Sequence, residues 1–259
     1  MDGILNAYIL PVERNSIYTF SKELSLGRIQ NNYALKLKRK IRYPLPIVHS
    51  LVSAEDLALT QKNKSKYFEL AEEIERKILR GNVSVSDLGE VLFQPQSMNE
   101  ALPFLLSASL VKTLSGLIIY LKHEATNSHL LIIDEPELNL HPDNQILLAR
   151  ILAKIVNAGI RLLISTHSDY IVRELNNMIM LSSKDIDKKE FGYEDDEYLN
   201  PEDVGAYLFN FNKEKPDRVI VEALSIEEDG FEVETMDEVI ASLNARSMNL
   251  YYKLKENNE

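Results

Sequence analysis

Residues His129–Asn144 read HLLIIDEPELNLHPDN, and this stretch decides the fold. Four apolar residues, Leu130–Ile133, have the length and composition of a buried strand. They run straight into two adjacent carboxylates, Asp134 and Glu135, and Pro136 stops the strand. Desolvating a carboxylate is costly unless a cation answers it, so a doubled negative charge at a buried strand end asks for a cation.

Outward from this stretch the chain alternates. A helix is expected over Asn99–His123, ahead of the strand, and another starts at Pro142, where proline needs no amide partner, and ends at Gly159. A second apolar strand, Ile160–Ile164, delivers the polar run Ser165, Thr166, His167, Ser168 and Asp169. A short helix (DYIVRELNN) and a short strand (MIML) are expected next. This alternation predicts an α/β fold: a mostly parallel sheet with covering helices. Ligands of such sheets gather at the carboxyl ends of the strands, where both polar groups fall.

The spacing divides the work between the two acids. Successive side chains of an extended segment point to opposite sides, so Asp134 and Glu135 do not ligate one ion from the same face. Asp134 is the candidate metal ligand for Mg²⁺, which takes one or two carboxylates plus phosphate oxygens and water. Glu135 is then free to orient or deprotonate an attacking water, and His167 to contact a γ-phosphate.

The bulk numbers bound the rest. The chain has 259 residues, a net charge of −11 and no cysteine. Disulfides and thiolate metal sites are excluded, and a reducing cytoplasm is the expected compartment. No apolar run approaches the roughly 20 residues of a membrane span, so no membrane is expected as a partner. The acidic balance argues against a broad phosphate-tracking surface and does not support DNA binding, although the basic run KLKRKIR at Lys36–Arg42 leaves a local contact open. Residues 53–81 carry a helical pattern in which Ser53 and Asp56 have capping-box spacing and Gly81 is a natural stop. About seventy residues read as free of strands, which predicts a helical subdomain. Four segments are expected: 1–35, a strand (ILNAYILPV) and linker; 36–100, a helical insertion lobe; 101–185, the catalytic core; and 186–259, a sheet addition with a terminal helix.

LLIIDEPELNLHP followed by RLLISTHSDYIVREL resembles the Walker B, D-loop and H-loop series of ABC-type (RecF/SMC/OLD-like) AAA-type P-loop ATPases. The resemblance covers roughly residues 97–181. It implies a P-loop NTPase-like fold, ATP and Mg²⁺ as cofactors, and a sandwich dimer that drives conformational change in an effector protein, in systems such as DNA maintenance or phage defence. Position by position, Asp134 resembles the Walker B acid, Glu135 the catalytic glutamate and His167 the switch histidine. Glu137–His141 resembles the D-loop, which makes Asn139 and His141 candidate nucleotide-contacting residues. The signature motif falls on LPFLLSASLVKTL, with Ser107 and Ser109 as candidates, although the glycines of the usual LSGGQ-like form are missing, and SMNE at Ser97–Glu100 is a competing placement. Glu13 or Arg14 falls near the Q-loop position.

One component is missing. The pattern G-x-x-x-x-G-K-[ST], whose backbone amides and lysine cradle phosphates, occurs nowhere in the chain. The chain is therefore expected to be the C-terminal half to two-thirds of such an ATPase. Its partner is then a second copy or a split-ATPase chain carrying Walker A, and alone it is expected to turn over little ATP. A non-catalytic interaction module is the alternative. An OLD-like nuclease is disfavoured because the residues after Leu181 hold no strand-end acid cluster.

Overall fold

The computed structural model describes residues 6–18, 43–211 and 217–256. Its centre is a three-stranded, all-parallel sheet in the order β1 (Asn6–Leu10), β5 (His129–Asp134), β6 (Arg161–Ser165). The register aligns Tyr8 with Leu131 and Leu131 with Leu162, and likewise Leu10 with Ile133 and Ile133 with Ile164. These six residues share one face, because side chains two apart point the same way. That face packs into the main core, which also takes Leu114, Leu117 and Ile118 of helix α4 (Ser109–Ile119) and Leu148, Ile151, Leu152 and Ile155 of helix α5 (Pro142–Asn157). The opposite face is more open, with Leu163 53% exposed.

Among the described residues β6 pairs with β5 alone. Helix α6 (Asp169–Met180) follows β6, and Ser168 caps it by accepting the Ile171 amide at 3.2 Å.

Between β1 and β5 the chain is helical over α1 (Leu45–Glu55), α2 (Leu57–Thr60) and α3 (Phe68–Ile74), the last extended by a π-turn, Glu75–Leu79. Arg80, at φ 50°, ends this helix just before the expected stop at Gly81. Gly81 cannot be replaced easily, since an added Cβ would lie 2.5 Å from the Phe93 ring. Ser53 lies inside α1 rather than capping it; the helix begins after Pro44.

The expected strand-free subdomain is corrected at this point. Strands β2 (Gly81–Val85), β3 (Val91–Pro95) and β4 (Leu102–Pro103) form an antiparallel sheet that buries Val83, Val91 and Phe93 in the main core. Two other expectations change. The helix expected over Asn99–His123 is α4 with a π-turn, Tyr120–Glu124, at its end and a single 3-10 turn, Phe104–Leu106, before it. MIML is the end of α6 and not a strand, because Met178 and Ile179 pack on Ala149 and Ala153 of α5. At the C-terminal end, β7 (Ala206–Phe211) and β8 (Val219–Leu224) pair antiparallel, and helix α7 (Glu234–Glu256) follows. The basic run 36–42 lies outside the described residues.

Candidate functional site at the strand ends

Strands β5 and β6 end side by side, with Asp134 opposite Ser165. The Ser165 hydroxyl donates a short hydrogen bond to Asp134 Oδ1. At the next residue the chain turns sharply: Glu135 has φ 46°, and its amide donates to the Ser165 carbonyl at 3.1 Å. A non-glycine residue in this left-handed region costs energy and persists only where its surroundings hold it. Here the hold is a buried cation. Arg14, 3% exposed, donates from Nη1 to the Asp134 carbonyl and from Nη2 to the Glu135 carbonyl, both at 2.6 Å. Its Nε and Nη1 also reach the carbonyls of Thr113 and Pro11, at 3.2 and 3.0 Å. Burial pushes the guanidinium down to about 10, with the carboxylates of Asp134, Glu137 and Glu135 pulling the other way, so it remains a cation at neutral pH.

The two loops beyond the strands are tied together by Glu137. Its Oε1 accepts from the Thr166 hydroxyl at 2.9 Å and from the His167 amide at 2.7 Å. Its Oε2 is buried without a hydrogen-bond partner. This clamp brings the His167 ring to the acid pair, with Nε2 4.0 Å from Glu135 Oε1. The His167 side chain is 86% exposed and that of Glu135 36%. Asp134, Glu135 and His167, expected together from the sequence, therefore do converge, and their polar atoms face outward.

Asn139 and His141 lie further along the same loop. Asn139, at φ 59°, donates to the Thr113 hydroxyl at 3.2 Å, tying the loop to α4. His141 is exposed and caps α5, its Nδ1 accepting from the Asp143 amide at 3.4 Å. The two serines differ. Ser107 is buried, its hydroxyl without a partner, after the 3-10 turn, whereas Ser109 is exposed and opens α4. Among the described residues no hydrogen bond joins either serine to the strand-end cluster.

The donor set is one of hard oxygens: the Asp134 carboxylate with the Ser165 hydroxyl on it, and the half-exposed Glu135 carboxylate. Such a set suits Mg²⁺ sharing its remaining positions with phosphate and water. The sequence alone marks neither the reach of Arg14 to the turn nor the Glu137 clamp. The signal for Glu137 was its place two residues after the acid pair. For Arg14 it was a basic residue just past a buried strand end.

A family model described as AAA ATPase domain matches residues 26–172. No curated protein matches the chain. A solved structure described as "Structural biochemistry of ATP-driven dimerization and DNA stimulated activation of SMC ATPases" aligns at a TM-score of 0.42 with 10% identity, over 75% of this chain and 94% of that chain.

Proposed function

Because the chain belongs to the AAA ATPase domain family, we propose that it supplies the acid-pair and histidine half of an ATP-hydrolysing site. The observation that carries this reading is the convergence of Asp134, Glu135 and His167 at the carboxyl ends of two neighbouring parallel strands. In this reading Asp134, oriented by Ser165, holds Mg²⁺. The bound ion supplies neutralisation of the phosphate charge. Glu135 accepts the proton of the attacking water, and its exposed carboxylate is positioned by the backbone turn rather than by neighbouring side chains. His167 contacts the γ-phosphate, held there by the Glu137 clamp on its amide. Asn139, His141 and one of Ser107 and Ser109 contact nucleotide from their loop or across a dimer interface.

The phosphate cradle, whose pattern G-x-x-x-x-G-K-[ST] this sequence lacks, is supplied in this reading by a partner segment carrying Walker A. Closure of the completed site would be passed to an effector in a DNA-maintenance or phage-defence setting. No helix among the described residues is long and apolar enough to cross a membrane.

The test compares the purified chain alone with the chain joined to a phosphate-loop segment. We expect weak binding of a fluorescent ATP analogue and little turnover alone, and both restored on completion. Glu135→Gln should then abolish turnover while retaining binding. Robust turnover by the chain alone would overturn the need for a second segment. Unaffected turnover in Glu135→Gln would overturn the assignment of the base. The missing lysine loop favours a second reading, a non-catalytic interaction module; failure of completion to restore nucleotide binding would establish it.

A further inference from the structure

Helix α7 is 23 residues long, which at 1.5 Å per residue is roughly 34 Å of helix. It leaves the body of the protein after its first turns. Asp237 is held by Arg173 at 3.4 Å, but every residue from 241 to 255 is exposed. A lone helix of this length is marginal in water and depends on packing. Five of its apolar residues and one serine follow a specific rhythm: Met236, Ile240, Leu243, Ser247, Leu250 and Leu254 are separated by alternating steps of four and three, with Val239, Met248, Tyr251 and Tyr252 off this line. This is the a/d repeat of a coiled-coil seam, with one polar member. Leu243 and Leu250 on that seam are 58% and 60% exposed.

The charges settle the occupant. The first turns carry Glu234, Asp237 and Glu238 and no basic residue, whereas the last turn carries Lys253 and Lys255 beside the terminal Glu256. A second copy of α7 laid parallel would set acid against acid and base against base. Laid antiparallel, it sets each acidic end against a basic one, a self-complementary arrangement of two-fold symmetry. One register also matches every layer of the seam: Ile240 faces Leu250 of the second copy, Ser247 faces Leu243, and Leu254 faces Met236.

We propose that α7 is a homodimerisation element, pairing antiparallel with α7 of a second copy about a two-fold axis near residue 245. This surface lies outside the residues matched by the ATPase family model, 26–172, and the inference does not depend on nucleotide chemistry.

The absence of cysteine gives a clean test on the full chain. Three variants are compared on a non-reducing gel after mild oxidation: Ile240→Cys, Leu250→Cys, and the two combined. We expect the combined variant to cross-link into a dimer, each single variant to remain uncrosslinked, and a mixture of the two single variants to cross-link. Single variants that cross-link with themselves would overturn the antiparallel arrangement. A monomer for the unmodified chain in sedimentation at tens of micromolar would overturn the dimer. The double substitution Lys253→Glu and Lys255→Glu leaves the seam intact and should weaken dimerisation at least tenfold at low salt. Unchanged affinity, with helix content retained by circular dichroism, would count against the proposal.

Discussion

Arg14 Nη2 lies 2.6 Å from the carbonyl oxygen of Glu135, 121 positions later in the chain. The same guanidinium holds the Asp134 carbonyl at 2.6 Å, so a single buried cation fixes the main chain of the acid pair. It answers the carbonyls at the turn, while the carboxylates themselves remain directed toward solvent. One cation that the strand-end acids call for is therefore internal: the Arg14 guanidinium, whose charge also lies beside the carboxylates of Asp134 and Glu135.

Replacing Arg14 removes its four side-chain hydrogen bonds and leaves the carbonyls of Asp134 and Glu135 without that donor. Arg14→Met should lower stability by on the order of 3 kcal/mol, since each buried polar group left unpaired costs about 1–3 kcal/mol. Arg14→Lys should recover only part of this, because an ammonium lacks the planar fork that reaches two adjacent carbonyls at once. Urea denaturation followed by circular dichroism measures both. Equal stability of the lysine variant and the unmodified chain would refute the fork geometry.

Glu137 makes a narrower prediction. Glu137→Ala removes the acceptor for both the Thr166 hydroxyl and the His167 amide. The loop at 165–168 should then exchange its amide hydrogens at least tenfold faster, with a stability loss of about 1–3 kcal/mol. Glu137→Gln keeps one acceptor oxygen and should exchange close to the unmodified rate. Hydrogen-exchange mass spectrometry distinguishes the pair, and identical rates in all three proteins would exclude a clamp.

A buried ion pair offers a test by subtraction. Lys122 Nζ donates to Glu75 Oε1 at 2.7 Å, with both side chains 6% exposed, and the same Glu75 oxygen accepts the Val83 amide. Lys122→Met should cost about 3–5 kcal/mol, because it leaves a carboxylate buried without its cation. Adding Glu75→Leu should return part of that loss, as apolar replacement of a whole buried pair is often neutral. A double variant less stable than the lysine variant alone would show that the Glu75–Val83 contact outweighs the charge penalty.

Acid sensitivity follows from Glu194. The ammonium groups of Lys154 and then Lys77 hold its carboxyl down, at about 2 against an ordinary 4.5. A carboxyl depressed in the folded state stabilises the protein above pH 4.5, and that contribution is lost as pH falls from 4.5 toward 2. Its side chain is 55% exposed, so solvent and salt screening reduce the effect. Glu194→Gln should lower stability at neutral pH and flatten the acid limb between pH 4.5 and 2, which urea titrations across that window will show. An unchanged slope would mean the contact is screened out.

The core of the site was legible because its signal is local. Four apolar residues ending in two acids, and a second apolar run ending in STHSD, mark parallel strands and the side on which they end, and the register confirms Asp134 beside Ser165. The helix from Pro142 was equally legible, through its proline start. The antiparallel sheet at 81–103 was not. Its strands bury few residues, chiefly Val83, Val91 and Phe93, between polar neighbours, and it directly follows a helix with no loop to announce a change. MIML has strand-forming composition, yet Ser168 caps the helix upstream and α5 packing carries it through. Arg14 was only partly legible because its partners lie up to 121 residues away. Such contacts leave no periodicity to read.

The turn at Glu135 keeps its shape through backbone atoms, held by Arg14 and by the Ser165 carbonyl, neither of which touches the glutamate's own carboxylate. Architecture and side-chain charge are thus written in different atoms at the same position. Exchanging one Glu135 carboxylate oxygen for an amide nitrogen would remove the side-chain charge and leave these main-chain hydrogen bonds intact. A descendant of this chain can therefore lose the charge at this position in a single step while keeping the same main-chain turn.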